Sequence, residues 1–85
     1  MKVLFHKHFK KHYKQLRALQ TKIDERLVLF MKDPFHDILN NHALGGKYEG
    51  YRSINITGDY RGLYRLLDNN TAYFTAIDTH SNLYK

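Results

Sequence analysis

Residues 51–64 read YRSINITGDYRGLY, and the pattern in this stretch decides the fold. In Tyr51–Thr57, Ile54 and Ile56 alternate with Ser53, Asn55 and Thr57, the period of two that marks a half-buried strand. Gly58-Asp59 is a turn signal, and Tyr60–Leu67 follows as a second strand rich in aromatic and apolar residues. Asp68-Asn69-Asn70 is the next turn, and Thr71–Ile77 reads as a third strand. Such a hairpin sets Asn55, Asp59 and Arg61, with Arg65 at its margin, beside a loop carrying His80 and Tyr84. A cation, a carboxylate, an imidazole and a phenol are thereby expected on one small site.

Outward toward the start, Lys2–Phe5 is a short apolar run suited to an edge strand. From His8 the spacing turns helical, with Phe9, Tyr13, Leu16 and Leu19 on one face and mostly Lys, His, Gln and Arg elsewhere. Thr21 and Asp24 have the form of a capping box that opens a second helix. Ile23, Leu27, Phe30 and Met31 continue that helix, and Asp33-Pro34 ends it. Phe35–Leu39 allows one further turn, and the segment from Asn40 to Gly46 reads as a loop. The order β-α-α-β-β-β predicts one α+β domain over residues 1–85, with two N-terminal helices packed on a small, mainly antiparallel sheet.

Composition narrows the function classes. The chain has 85 residues, 42% of them hydrophobic, which is too apolar for a disordered basic tail. It has no cysteine, so a disulfide framework and a thiolate zinc site are excluded. Its longest apolar run, Leu27–Met31, is far too short for a membrane span, and the first residues lack the apolar core of a signal peptide. A cytoplasmic protein without a membrane partner is the expectation. The formal charge of +6 is concentrated in residues 1–32, where nine Lys and Arg face only Asp24 and Glu25. A cationic first half on so small a domain points to a polyanionic partner, nucleic acid first, or to an acidic protein. His6, His8 and His12 cluster there too, and His8 and His12 have the i, i+4 spacing that can bind a metal. No carboxylate or cysteine stands close to complete such a site, so these imidazoles are read as part of the basic face.

A resemblance emerges from several short motifs taken in order. They are Asp33-Pro34, His42-Ala43-Leu44-x-Gly46, Gly50-Tyr51-Arg52-Ser53, Gly58-Asp59-Tyr60-Arg61, Tyr64-Arg65-Leu66 and Thr79-His80-Ser81-x-Leu83-Tyr84. Each is weak alone, but at these spacings they resemble the RelE/ParE superfamily of type II toxin–antitoxin toxins, most closely its YafQ-like branch. The motifs cover about residues 30–85; helix order and basic charge carry the likeness through the rest.

The resemblance implies a ribosome-dependent mRNA interferase, an endoribonuclease that uses the RNA 2′-hydroxyl as nucleophile and needs no metal or other cofactor. Matched residue by residue, His80, His42, Asp59, Arg61 and Tyr84 are the candidates for catalysis. His80 and His42 suit acid or base work near neutrality, and Arg61 suits a phosphate's oxygens. Lys7, Lys10, Lys11, Lys14 and Arg17, with Arg52 and Arg65, are the candidates for RNA binding. The implied partners are a cognate antitoxin, the ribosome with its mRNA, and operator DNA only through the antitoxin complex. Two positions depart from the branch: Asn55 stands where a histidine is expected and Ala76 where an arginine is expected. An amide is no general base at neutral pH, so the base role falls to His42 or Asp59. The alternatives are a ParE-like inhibitor of DNA gyrase, or a catalytically weak member that works through antitoxin and operator binding.

Overall fold

The computed structural model describes residues 1–84. Strand β1 (Lys2–Phe5) leads into helix α1 (Lys7–Gln15), a 3-10 turn (Arg17–Leu19) and helix α2 (Gln20–Lys32). A second 3-10 turn (Asp37–Leu39), strand β2 (His42–Ala43) and a third 3-10 turn (Gly46–Tyr48) follow. Strands β3 (Arg52–Asn55), β4 (Tyr60–Asp68) and β5 (Thr71–Thr79) then lead to a one-turn helix, α3 (His80–Leu83). The sheet order is β1-β5-β4-β3-β2. β1 runs parallel to β5, and the other neighbours are antiparallel. This is the expected α+β architecture with one strand more than the sequence suggested. Residues 42 and 43, expected within a loop, pair with Ser53 and Arg52.

The core lies between the helices and one face of the sheet. Phe74 is its hub, with ring centroids of Tyr64, Phe30 and Phe9 at 5.1, 5.2 and 5.7 Å. Ile23, Leu27 and Phe30 of α2 join Ile54, Ile56 and Ile77 of the sheet region in the same buried cluster. These are the positions whose spacing predicted a helix and a half-buried strand. Burying apolar surface is the main force available to a domain of this size.

Three local expectations fail. The spacing of Phe9, Tyr13, Leu16 and Leu19 suggested one helix, but α1 ends at Leu16, which leaves helical geometry at φ −91° and ψ 55°. Leu16 and Leu19 still pack against the core, but from the turn between the helices. The capping box at Thr21 and Asp24 does not form, because the 3-10 turn runs straight into α2 and leaves no open helix start there. Asp24 instead accepts the Tyr13 hydroxyl at 2.8 Å, tying α1 to α2. Met31, expected on the core face, is 37% exposed.

Candidate functional site

The second face of the sheet follows from the same alternation. With Ile54 and Gly62 turned to the core, Ser53, Asn55, Arg61, Leu63 and Arg65 turn the other way. Cross-strand register extends this face: His42, Ser53, Leu63 and Ala76 form one row, and Asn55, Arg61 and Asp78 form the next. Ser53, Leu63 and Leu83 are buried yet lie outside the main core cluster, so this face is partly covered.

The Ile56–Asp59 connection is held from several sides. Arg26 of α2 donates to the Ile56 carbonyl at 3.2 Å. Thr57 Oγ1 accepts from the Asp59 and Tyr60 amides. Arg61 Nη1 donates to the carbonyls of Thr57, Gly58 and Tyr60 at 3.0, 3.1 and 3.2 Å. One guanidinium nitrogen thus fastens the loop, and no hydrogen bond of Arg61 Nε or Nη2 is found among the described residues.

His80 opens α3, where Thr79 Oγ1 caps the helix by accepting from the Asn82 amide. The His80 amide donates to the Asp59 carbonyl at 2.9 Å, so these two candidate residues, from separate motifs, are joined through the backbone. The imidazole of His80 lies 4.6 Å from the ring of Tyr84, one helical turn on. Tyr84 in turn meets Tyr48 at 6.0 Å, and Tyr48 meets Tyr51 at 6.4 Å. Gly46 and Gly50, at φ +60° and +90°, allow the backbone reversals on either side of Tyr48.

His42 sits on the edge strand and is exposed. Its Nδ1 lies 2.8 Å from the Asn40 carbonyl, which can only accept, so Nδ1 carries the proton and Nε2 is the free ring atom. Asp59 is exposed, and its carboxylate makes no ion pair or hydrogen bond among the described residues. The structure therefore brings Asp59, Arg61, His80 and Tyr84 to one end of the open face. His42 lies on the same face two strands from β4, about 10 Å away at the backbone.

The candidate RNA-binding cations lie in different surroundings. Arg52 alternates with Ile54 and turns to the helix side. There its Nε donates to Asn41 Oδ1 at 2.8 Å and its guanidinium lies over Phe35. Asn41 also donates to the Tyr64 hydroxyl and the Pro34 carbonyl, so Arg52 belongs to a structural network. Lys10 and Lys14 line an apolar groove with Phe5, Phe9, Tyr13 and Leu27, and Arg17 falls in the turn beyond α1. Arg65 stays on the open face, over the ring of Tyr73 at 5.4 Å. His8 has its imidazole pushed below the ordinary range, first by desolvation and then by His6, Lys7, His12 and Lys11.

At the two positions where a histidine and an arginine were expected, Asn55 Oδ1 is buried without a hydrogen-bond partner among the described residues, and Ala76 lies across from Leu63. Motif reading passed over Tyr48. Tyr51 stood in a quoted motif without a role, although its alternation with Ser53 and Asn55 would have placed it on this face. No group of three His, Asp or Glu among the described residues is arranged to hold a metal ion. No helix among them is long and apolar enough to cross a membrane.

A family model described as bacterial toxin of type II toxin–antitoxin system, YafQ, matches residues 1–85. The fold is similar to that of YafQ from E. coli strain BL21(DE3), with a TM-score of 0.83 at 19% identity over 99% of this chain and 98% of that one. It is similar to YafQ in the E. coli DinJ–YafQ complex, with a TM-score of 0.79 at 19% identity over 99% and 98%. A YoeB/ParE toxin from Agrobacterium tumefaciens gives 0.78 at 21% identity over 94% and 99%. No curated protein sequence matches the chain.

Proposed function

Since the chain belongs to the YafQ family of bacterial type II toxin–antitoxin toxins, we propose that it is a ribosome-dependent mRNA endonuclease. The observation that carries this reading is the gathering of Asp59, Arg61, His80 and Tyr84 at one end of the open face, with His42 on the same face. Cleavage by 2′-hydroxyl attack needs three services: removal of a proton from that hydroxyl, neutralisation of charge building on the phosphate, and protonation of the leaving 5′-oxygen. The open fork of Arg61 meets the phosphate. His80 supplies the proton to the leaving oxygen. The base is drawn from His42, through its free Nε2, and Asp59, whose carboxylate is unengaged. The bond from phosphorus to the 5′-oxygen breaks as the bond to the 2′-oxygen forms, leaving a 2′,3′-cyclic phosphate and a 5′-hydroxyl. No metal is required by this route.

Tyr84, tilted against His80, offers a ring face to a base next to the scissile bond. Lys7, Lys11 and Arg65 contribute charge toward ribosomal and messenger RNA, and Lys10, Lys14 and Arg17 extend it over the helices. The E. coli relative was solved with DinJ, and by the same likeness an antitoxin partners this chain in the cytoplasm, operator DNA being reached only through that complex.

One feature favours a second reading. Asn55, whose buried Oδ1 has no partner among the described residues, and Ala76 stand where a base and a cation were expected, which fits a catalytically silent member acting through its antitoxin. Induced expression of wild type and His80→Ala, with growth followed and a cellular mRNA mapped by primer extension, separates the two. Cleavages within codons that vanish in the variant support the nuclease. Well-expressed, folded wild type that neither arrests growth nor cleaves would leave the silent reading in its place, and arrest without cleavage would point to gyrase or another target.

A further inference from the structure

The open face carries a second constellation, away from His80. His6, His8, Tyr51, Arg65, Tyr73 and Thr75 line an open groove of about 340 Å³ that includes no carboxylate. Its rings are ordered. Arg65 lies over Tyr73 at 5.4 Å, the His6 ring stands edge-on to Tyr73 at 5.8 Å, and His6 and His8 stack at 4.7 Å with planes 23° apart. The imidazole pair is also held in place, because His6 caps α1 and its Nδ1 accepts the His8 amide at 3.0 Å. Serine or aspartate would cap the helix as well, but neither would present a ring.

This groove joins the site already described. His80, Tyr84, Tyr48 and Tyr51 form a chain of neighbouring rings, and Tyr51 is also a wall of the groove. Along β4, Arg61 and Arg65 point to the same side four residues apart, about 13 Å. Aromatic faces interleaved with guanidinium groups are what single-stranded nucleic acid requires: stacking for bases and fixed charge for the backbone.

We propose that the groove is a nucleotide subsite for single-stranded RNA flanking the scissile bond, where a base stacks on the His6–His8 pair and its phosphate meets Arg65. The inference rests on the RNA-cleaving reading of the adjacent site. The exposed His8 ring is the outer stacking surface, Tyr73 holds Arg65 and His6 in position, and Tyr51 carries the strand on toward Tyr84.

The test is fluorescence anisotropy with two labelled hexamers, 2′-O-methylated to prevent cleavage: hexauridylate, and the same backbone without bases. Wild type is expected to bind the base-bearing hexamer about tenfold more tightly. The double variant His6→Asn, His8→Ala keeps an acceptor at the cap and should lower that preference to within about twofold, with circular dichroism unchanged. Arg65→Gln should weaken both hexamers together. Equal binding of both hexamers by wild type would make the groove a general polyanion surface and overturn the proposal, as would a preference that survives the double variant. Wild type that leaves mRNA intact in cells while keeping a His6- and His8-dependent base preference would support the subsite and remove only the nuclease reading.

Discussion

Gly62 offers the most quantitative check on the packing between the two faces of the sheet. It sits in β4 opposite Ile54 and Ile77, with its missing side chain directed at the core. A Cβ built there lies 3.5 Å from Ile54 Cγ1, 3.5 Å from Phe74 Cε2 and 3.7 Å from Ile56 Cδ1, all ordinary van der Waals separations. Alanine should therefore fit without displacing a neighbour. Burying one methyl contributes about 0.8 kcal/mol. Removing glycine's extra freedom from the unfolded chain contributes about 0.4–1 kcal/mol more. Gly62→Ala is expected to stabilise the protein by about 1–2 kcal/mol, raising Tm by roughly 5–15 °C. Urea titration should show a higher midpoint at an unchanged m-value. Because the new methyl points away from Arg61, the open face and any toxicity should be unaltered. Gly62→Val, which adds two carbons beyond that methyl, is expected to overpack the site and cost about 1–3 kcal/mol. A midpoint for Gly62→Ala at or below wild type would show that Ile54, Phe74 and Ile56 do not leave the space their positions indicate.

Two further perturbations probe the loops that frame the sheet. Tyr64→Phe removes the hydroxyl that accepts from Asn41 Nδ2 at 2.7 Å and should cost about 1 kcal/mol in urea titration; an unchanged midpoint would mean that the Asn41 network stands without it. The Asp68 carboxyl is held below its ordinary value, first by the Asn70 amide and then by the Thr71 hydroxyl. Its folded pKa lies below the unfolded one, so its contribution is present above the unfolded pKa and is lost as pH falls through the folded one. Thermal melts from about pH 5 down to about pH 2 should show a smaller acid-dependent fall in Asp68→Asn than in wild type; parallel curves would refute the assignment.

The legible parts of the fold are those where one physical signal dominated. Ile54 and Ile56, and Ile23, Leu27 and Phe30, declared their faces through spacing alone, because burial left no other arrangement for them. β2 was illegible, since two residues among Asn and Gly carry no period, and only their partners Arg52 and Ser53 define them as a strand. The end of α1 was hidden for the opposite reason: Leu16 and Leu19 remain inward, so the apolar spacing persists through a break that lacks Gly or Pro. At the candidate site, motif order singled out Asp59, Arg61, His80 and Tyr84, and among these the fold joins Asp59 to His80 through the backbone and sets Tyr84 beside the His80 ring. Arg52 is basic and stands in a quoted motif, but its alternation with Ile54 turns it to the helices, where Asn41 and Phe35 hold it. The His6–His8 stack could not be read in advance, because it depends on one imidazole accepting the amide that starts a helix.

The pairing of β1 with β5 has a consequence for how the molecule comes into being. Phe5 finds its place beside Phe74, so β1 has no partner until the chain has been made through β5. Contacts so distant in sequence carry a larger chain-closure cost than the local β4–β5 hairpin, and are expected to follow it. The rings of His6 and His8 are anchored to β1, while His80 and Tyr84 follow directly on β5. Both ends of the open face therefore come into register with the closing of one edge of the sheet. A partly synthesised chain has neither end in place, so an incomplete copy carries little of the finished surface.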